Sequence, residues 1–324
     1  MNTIPLTFDG WEIPYSVIQG SVCGDPESGC AEPALSVVLL NRGGKYYRTS
    51  VFRDLEDSGF SSVLSVENTP EPYDVENLSP RFPAVKFLIP QRKLTVGEMI
   101  NAGIAESTSR FVLVMWNDQR LSPQGLPESV LSQLASENLF CCAPFLSGDT
   151  FGSLPVQMIP QADKKKFNIQ PFPCVRDNER TVYPFDFTGI YDRAKFVEYG
   201  GFDSSIRNPY WQNADFGFRV NLWGEEIRIF SHFKMVYESE VPTEDVAADI
   251  SYLQFYLKNL APVRKGAFAV LPFRRFFPFM GKSGLNVFDS WRMFRSASKW
   301  VAVNAPRFVT DAASLAAAWE PSVL

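Results

Sequence analysis

Short runs of apolar residues, separated by turns and by helical patterns, organise the first 120 residues. The runs cover residues 34–40, 62–66, 85–89 and 111–116. The last of them, FVLVMW, shows no alternation of apolar and polar positions. This is typical of a parallel strand that helices cover on both faces.

Helical signals lie between these runs. Tyr47, Val51 and Leu55 mark one face of a helix that ends near Gly59. Thr95 and Glu98 have the spacing of a capping box, which predicts the start of a second helix. The repeated order of strand, helix and strand predicts right-handed crossovers and an α/β fold: a Rossmann-like, mainly parallel sheet with helices on both faces.

The pattern becomes less regular after residue 118. We predict helices over 127–137, from 193 and over 252–260, and one with Phe216, Val220 and Trp223 on one face that ends at Gly224. Strand-like stretches cover 138–144, 181–190 and 227–230. Residues 148–175 read as a polar connection, with a lysine run at 164–166 in a solvated loop.

Length and composition indicate a globular protein. With 324 residues and 45% apolar content, the chain can bury a large core. We divide it into an N-terminal extension (1–33), a catalytic-type domain (34–262) and a C-terminal basic, aromatic helical region (263–324). The first 16 residues lack a signal-peptide pattern and no run is long enough to cross a bilayer, so we expect a cytoplasmic protein.

Five cysteines, an odd number, favour reduced thiols. Cys23 and Cys30 leave open a loop-closing pair or half of a zinc site, although no second pair follows at metal-binding spacing.

Charge is unevenly distributed. From Arg264 onward, nine basic residues face three acidic ones, for a net charge of +6, while the rest of the chain carries −11 of the total of −5. Residues 264–300 are also rich in Phe and Trp, which leaves two interpretations. The segment makes peripheral contact with the inner face of a membrane, or its aromatics pack on the core while its cations face water. No nucleic-acid-binding module is recognisable.

Asp118 is the first candidate for chemistry, because it directly follows the strand-like run that ends at Trp116. Ligands bind open α/β sheets beyond the carboxyl ends of the strands, so a carboxylate there is placed to meet a metal or a phosphate. The alternative is a simple cap of the next helix.

Taken together, the order of motifs over residues 34–235 resembles the nucleotide-sugar glycosyltransferases of the GT-A fold, especially family 2. The resemblance lies in the first strand with Ser36-Val37-Val38, an Asn-x-Gly at 101–103, a counterpart of the Asp-x-Asp motif at 116–118, a glycine loop at 200–203, and a late histidine, His232.

This resemblance implies a nucleotide-sugar donor and a divalent ion, Mn²⁺ or Mg²⁺, held by Asp118 and His232. It implies that Glu67 binds the nucleobase. It also implies that the remaining members of the donor site are Asn41, Arg42, Asn117, Gly200 and Gly201.

Two positions depart from the family pattern. Trp116 replaces the first acid, and Gln212-Asn213 replaces the acidic pair whose second member is the general base in inverting enzymes. An amide cannot accept the proton. Asp215 is the nearest carboxylate, but on a helix it lies about 200° around the axis from Asn213.

Several explanations therefore stay open. The base is Asp215 or another acid such as Asp186 or Asp203, the enzyme retains configuration and needs no base there, or the site is degenerate. Asp215 also has a purely structural explanation, as a partner of Arg219 four residues later.

We predict a glycosyltransferase that acts on a hydroxyl of a glycan, lipid-linked or protein acceptor. The alternatives are a sugar-phosphate nucleotidyltransferase, for which residues 41–45 are only a weak phosphate loop, and a non-catalytic nucleotide- or glycan-binding protein.

Overall fold

The computed structural model describes residues 13–19, 35–42, 46–70, 74–148, 152–163 and 166–319. The strands are β1 (Tyr15–Gln19), β2 (Leu35–Leu40), β3 (Ser62–Val66), β4 (Val85–Pro90), β5 (Phe111–Trp116), β6 (Gln119–Leu121), β7 (Cys141–Gly148), β8 (Gly152–Ser153), β9 (Gln157–Asp163), β10 (Lys166–Phe172), β11 (Glu179–Thr181), β12 (Gly189–Asp192), β13 (Ile227–Tyr237), β14 (Val263–Lys265) and β15 (Phe268–Val270). The helices are α1 (Tyr46–Asp57), α2 (Val75–Leu78), α3 (Val96–Glu106), α4 (Glu128–Ser136), α5 (Arg193–Glu198), α6 (Pro209–Leu222), α7 (Ile250–Phe255), α8 (Phe276–Lys282), α9 (Val287–Asn304) and α10 (Ala312–Ala317).

One sheet carries the fold, in the order β1-β4-β3-β2-β5-β12-β7-β13-β11. Strands β4, β3, β2 and β5 are parallel to their neighbours in this series, whereas β1 and β12 pair antiparallel to it. Val38 and Leu40 pack into one apolar core, while Val37 and Leu39 pack into the other. Both faces of β2 are therefore buried, which explains its unbroken apolar sequence, and the predicted α/β class is confirmed.

Two segments predicted to be irregular form strands instead. Tyr15–Gln19, assigned to the N-terminal extension, pairs with the edge of the sheet at β4. Its side chains are mostly exposed, so it lacks the apolar run that marks the central strands. The predicted polar connection contains the antiparallel hairpin β9–β10, while Lys164 and Lys165 lie outside the described residues.

The last long strand of the sheet, β13, extends to Tyr237 rather than ending near Phe230. Its pairing with β7 shifts register between Phe230 and Lys234. Such an irregularity re-aims the side chains within it. Beyond this point Tyr237 pairs with Gln119, so the end of β13 reaches the segment that follows β5.

Residues 263–319 form the hairpin β14–β15 followed by α8, α9 and α10, in agreement with the predicted helical extension. The helix predicted over 252–260 is α7 continued by the π-helix Tyr256–Leu260. Across the described ranges, no helix combines the length and apolar character needed to cross a membrane.

The described cysteines Cys141, Cys142 and Cys174 are buried free thiols. The predictions for Cys23 and Cys30 fall outside the described residues.

Candidate active site

Asp118 lies at the carboxyl end of β5 and is held from two sides. The Arg42 Nε donates to its Oδ2 over 3.1 Å, and the Ser239 hydroxyl donates to the same oxygen over 2.6 Å. The Arg42 backbone N–H donates to the Asn117 side chain, which joins the ends of β2 and β5. The structure thus brings together Arg42, Asn117 and Asp118, as the shared strand edge predicts.

Arg42 also binds a second carboxylate. Its Nη2 lies 2.6 Å from Asp186 Oδ2, and its guanidinium carbon lies 4.2 Å from the centre of the Trp116 ring. The Tyr237 hydroxyl donates to Asp186 over 2.9 Å. Burial raises the pKa of Asp186, and the adjacent Arg42 opposes this shift. We call Arg42, Asp118 and Asp186 the strand-end cluster.

Asp186 has an unusual backbone. Its φ is 52°, in the left-handed region that a non-glycine residue seldom occupies, and its carbonyl accepts from the Trp116 indole N–H over 2.9 Å. Trp116 stands where the glycosyltransferases that the sequence resembles have their first acid. Here its indole N–H holds the backbone of another acid, Asp186. The sequence offered Asp186 as one of several alternative bases, but no local pattern in residues 185–187 predicts this backbone conformation.

Glu67 ends β3 and is buried within the same edge. The Arg48 Nη2 donates to its Oε1 over 2.5 Å, and the Asn41 amide donates over 3.4 Å. Burial raises the pKa of Glu67, with Arg48 acting in the opposite direction. Asn41 Oδ1 is buried and accepts no hydrogen bond from the described residues, which leaves an acceptor available for an N–H or O–H of a ligand.

The segment 238–249 crosses from Asp118 to the start of α6. At one end the Glu238 N–H donates to the Asp118 carbonyl, and at the other the Trp211 indole donates to the Ala247 carbonyl over 2.7 Å. Glu244 lies between these ties, where it accepts from the Tyr183 hydroxyl over 3.4 Å. Burial, together with the nearby Asp186, raises its pKa to about 7.

Glu244, Ser239 and Arg48 lie in no motif of the sequence. The segment that carries Glu244 and Ser239 has neither periodicity nor a motif. Its position depends on the extra length of β13, which no local pattern reveals.

The predicted catalytic acids Asp203 and Asp215 are elsewhere. Asp203 forms an ion pair with Lys258, and Asp215 accepts from the Asn259 amide over 2.7 Å and lies 3.6 Å from Arg219. We call Asp203, Asp215, Arg219 and Lys258 the buried cluster.

The electrostatics of the buried cluster follow from its seclusion. Burial alone would raise the pKa of Asp203, but the Lys258 ammonium outweighs it and the pKa is lowered. Burial prevails at Asp215, whose pKa is raised. Because the Asp215 side chain is only 2% exposed, a substrate cannot reach it in this arrangement.

The amides in place of the family's acidic pair have structural contacts. The Gln212 side chain accepts from the Gly97 N–H and donates to the Asp203 carbonyl, each over 2.8 Å. The Asn213 amide donates to the Pro184 carbonyl over 2.8 Å. These bonds tie α6 to α3 and to the residues before Asp186.

Gly200 and Gly201 form a turn with positive φ, at 79° and 64°. A Cβ on Gly201 would lie 2.5 Å from Asn101 Oδ1. Asn101 in turn bonds both backbone groups of Phe202, so the loop is fixed to α3. The predicted role of these glycines in donor binding stays a prediction.

His232 is exposed, and it helps to lower the pKa of Asp177. It lies in the irregular part of β13 between Phe230 and Lys234, before Tyr237 pairs with Gln119 beside Asp118. The pairing of His232 with Asp118 at one metal ion stays a prediction.

The strand-end cluster was tested for its fit to a divalent ion. The carboxylates of Asp118 and Asp186 are hard oxygen ligands of the kind that Mg²⁺ and Mn²⁺ bind. However, Arg42 already bonds both of them, and the described residues contain no group of three or more acidic, His or Cys side chains arranged to hold a metal. In this arrangement the residues do not fit the ion.

Comparison with known proteins gives structural matches alone. No family model matches the sequence, and no curated protein matches it. The crystal structure of GalNAc-T7 with UDP, GalNAc and Mn²⁺ is similar at a TM-score of 0.55 and 9% identity, over 84% of this chain and 57% of that chain.

The structure of S. aureus TarS 1–349 in complex with UDP-GlcNAc is similar at a TM-score of 0.50 and 13% identity, over 82% of this chain and 71% of that one. The chain thus spans little more than half the length of GalNAc-T7. Both neighbours are GT-A glycosyltransferases, and the chain has the GT-A nucleotide-sugar glycosyltransferase fold.

Proposed function

We propose that the protein transfers a sugar from a UDP- or GDP-linked donor to a hydroxyl group of an acceptor. The observation that carries this proposal is the convergence of Asn41, Arg42, Glu67 and Asp118 at one edge of a GT-A sheet. Asn41 supplies an amide oxygen that can accept a hydrogen bond from the nucleoside, and Arg42 supplies a guanidinium for the diphosphate. Both structural neighbours named above were crystallised with UDP or a UDP-sugar.

The chemistry requires stabilisation of the charge that develops on the departing diphosphate. Arg42 is the cation that borders Asp118, and the Trp116 ring and two carboxylates fix its orientation. A preoriented guanidinium binds phosphate oxygens in bidentate fashion, and Asp118 would release it toward the diphosphate. Binding of Mn²⁺ or Mg²⁺ stays a prediction, and it requires the Arg42 side chain to leave Asp118.

An inverting transfer also needs a base for the acceptor proton. Glu244 suits this role better than Asp215, because it is half-buried beside Asp186 and its pKa of about 7 lets it accept a proton near neutral pH. The earlier candidates Asp203 and Asp215 are paired in the buried cluster. We propose a glycan, lipid-linked or protein acceptor and a cytoplasmic location.

Calorimetry with UDP and with GDP, each with and without Mn²⁺, tests donor binding. Asp118→Ala is expected to weaken binding at least about tenfold, while the matched surface substitution Asp57→Ala leaves it unchanged. Donor hydrolysis is then followed with a panel of UDP- and GDP-sugars.

Failure of both nucleotides to bind would contradict the proposal. Binding without hydrolysis or transfer from every donor would instead favour a non-catalytic nucleotide-binding protein. The bond between Arg42 and Asp118 and the amide at Asn213 are the observations that favour this second candidate.

A further inference from the structure

The exposed aromatic side chains are concentrated in one region. Among the described residues, every exposed Phe or Trp lies between positions 268 and 291. The five are Phe268 (54% exposed), Phe273 (56%), Phe277 (59%), Phe288 (73%) and Trp291 (41%). We call them the aromatic face. A monomeric soluble protein rarely groups its exposed aromatics in this way unless they bind something.

Three of these side chains, Phe273, Phe277 and Trp291, are in contact. The Phe273 ring centre lies 5.7 Å from that of Phe277 and 6.1 Å from that of Trp291. Beneath them, Phe276 and Phe294 are buried and provide the base on which the exposed rings rest. Part of the tail therefore packs on the protein, as one interpretation of the sequence holds, while the aromatic face remains outside.

Helix α9 separates the two roles by its periodicity. Its buried positions include Ser290, Phe294, Ala297 and Val301, which follow helical spacing. Phe288 and Trp291 lie on the exposed side. The helix thus presents one apolar side to the protein and a second aromatic stripe to its surroundings.

Exposed cations lie in the same segment of the chain as the aromatic face. Residues 263–319 contain nine Lys and Arg side chains but only two acidic ones, Asp289 and Asp311. The exposed members are Arg264, Lys265, Arg274, Lys282, Arg292, Arg295, Lys299 and Arg307. The chain as a whole carries −5, so this end has the opposite sign to the rest.

A pocket is lined both by a ring of the aromatic face and by two of the cations. It has a volume of about 410 Å³ and is lined by Val263, Lys265, Pro272, Phe273 and Arg274. Lys265, which pairs across the hairpin with Phe268, therefore lies beside the same pocket as Phe273. An ammonium and a guanidinium beside apolar walls suit a phosphate attached to a hydrocarbon chain.

We propose that residues 263–299 dock the protein on the surface of an anionic phospholipid membrane. The aromatic face enters the boundary between headgroups and acyl chains, and the Lys and Arg side chains of the same segment bind lipid phosphates. A membrane fits better than a second copy of the chain, since a symmetric contact would place the same cations against each other. No described helix spans a bilayer, so the contact is peripheral.

Co-sedimentation of the full chain with vesicles tests this proposal without reference to sugar transfer. We expect binding to vesicles with about one-third phosphatidylglycerol to exceed binding to pure phosphatidylcholine at least about tenfold, and to weaken as salt is raised. The triple variant Phe273→Ser, Phe277→Ser, Phe288→Ser should bind the anionic vesicles at least about tenfold less. Lys265→Gln with Arg274→Gln should remove most of the preference for anionic lipid.

Matched controls change equally exposed side chains elsewhere. Val17→Ser with Val175→Ser is the apolar control, and Arg53→Gln with Arg207→Gln is the charge control; both should bind as the unchanged protein does. Thermal melts check that all variants fold. The proposal is overturned if the full chain ignores both vesicles, if the triple variant still binds them, if the triple substitution instead dissolves a dimer in light scattering, or if single-stranded RNA binds and vesicles do not.

Discussion

The strand-end cluster and the buried cluster contain the same kinds of side chain in different surroundings. In the strand-end cluster, Arg42, Asp186 and Asp118 keep 24%, 11% and 6% of their side chains exposed. In the buried cluster, Arg219, Asp215 and Asp203 keep 0%, 2% and 3%, and only Lys258 reaches 10%. In the first cluster a ligand can compete for the charges. In the buried cluster, the charged side chains mainly contact one another and are nearly closed to ligands.

This difference bears on the choice of a catalytic acid, which stays a prediction. Asp215 is the carboxylate nearest to the amide pair, two residues after Asn213. However, Lys258 and Asn259 of the π-helix enclose it. Asp186 and Glu244 lie in no motif, yet they border the strand ends. Whether a carboxylate serves chemistry or the fold depends on the cations that tertiary structure brings to it.

The largest effect should come from breaking the buried cluster. Lys258→Met leaves Asp203 buried without its cation, which should lower the free energy of unfolding by about 3–5 kcal/mol. Because the lowered pKa of Asp203 stabilises the fold above its unfolded-state pKa, wild-type stability should fall as acid protonates it, and the variant should lose this dependence. Urea titrations at several pH values measure both. A loss below 1 kcal/mol would show that the pair is not buried as described.

The loop over the buried cluster offers the next test. Gly201→Ala places a Cβ against Asn101 and retains a positive φ, so it should cost about 1–3 kcal/mol. Gly59→Ala is the control, because its φ of 70° is similar but nothing lies within 4 Å of the new Cβ. The control should therefore cost less than the test in thermal unfolding, and equal losses would mean that only backbone strain acts at Gly201.

Glu244 should make the stability of the protein depend on pH. Its folded-state pKa is raised to about 7, so the stability that it contributes is present below the unfolded-state pKa and is lost as pH rises through 7. Glu244→Gln should flatten the stability profile between about pH 5 and 8, while Glu240→Gln, in the same segment, should not. If Glu244 is the base, transfer in the unchanged enzyme should rise over the same pH interval. If the stability and transfer profiles of the Glu244→Gln variant both match those of the unchanged protein, Glu244 is neither the group that makes stability depend on pH nor the base.

The smallest stability effect should occur at Asp118, for the reason that makes it the best ligand-binding candidate. Asp118→Asn keeps the side-chain shape and weakens the hydrogen bonds from Arg42 and Ser239, so it should cost only about 1 kcal/mol of unfolding free energy. A loss as large as that of Lys258→Met, measured by the same urea titration, would place Asp118 with the structural charges.

The sequence predicted what local patterns determine. The buried strands, the capping box at Thr95 and the shared edge of Arg42 and Asp118 follow from apolar runs and the rule for strand ends. The edge strand β1 and the length of β13 were missed, because exposed or irregular strands carry weak signals. Asp186 was one of several alternative bases in the sequence, whereas Glu244 became a candidate only when distant segments met.

The most direct test of the account is a crystal structure of the protein grown with UDP and Mn²⁺. We predict that the diphosphate lies against Arg42 and Asp118, with the uracil within hydrogen-bonding distance of Asn41 Oδ1. A nucleotide bound at another surface, with the bond between Arg42 and Asp118 undisturbed, would contradict it.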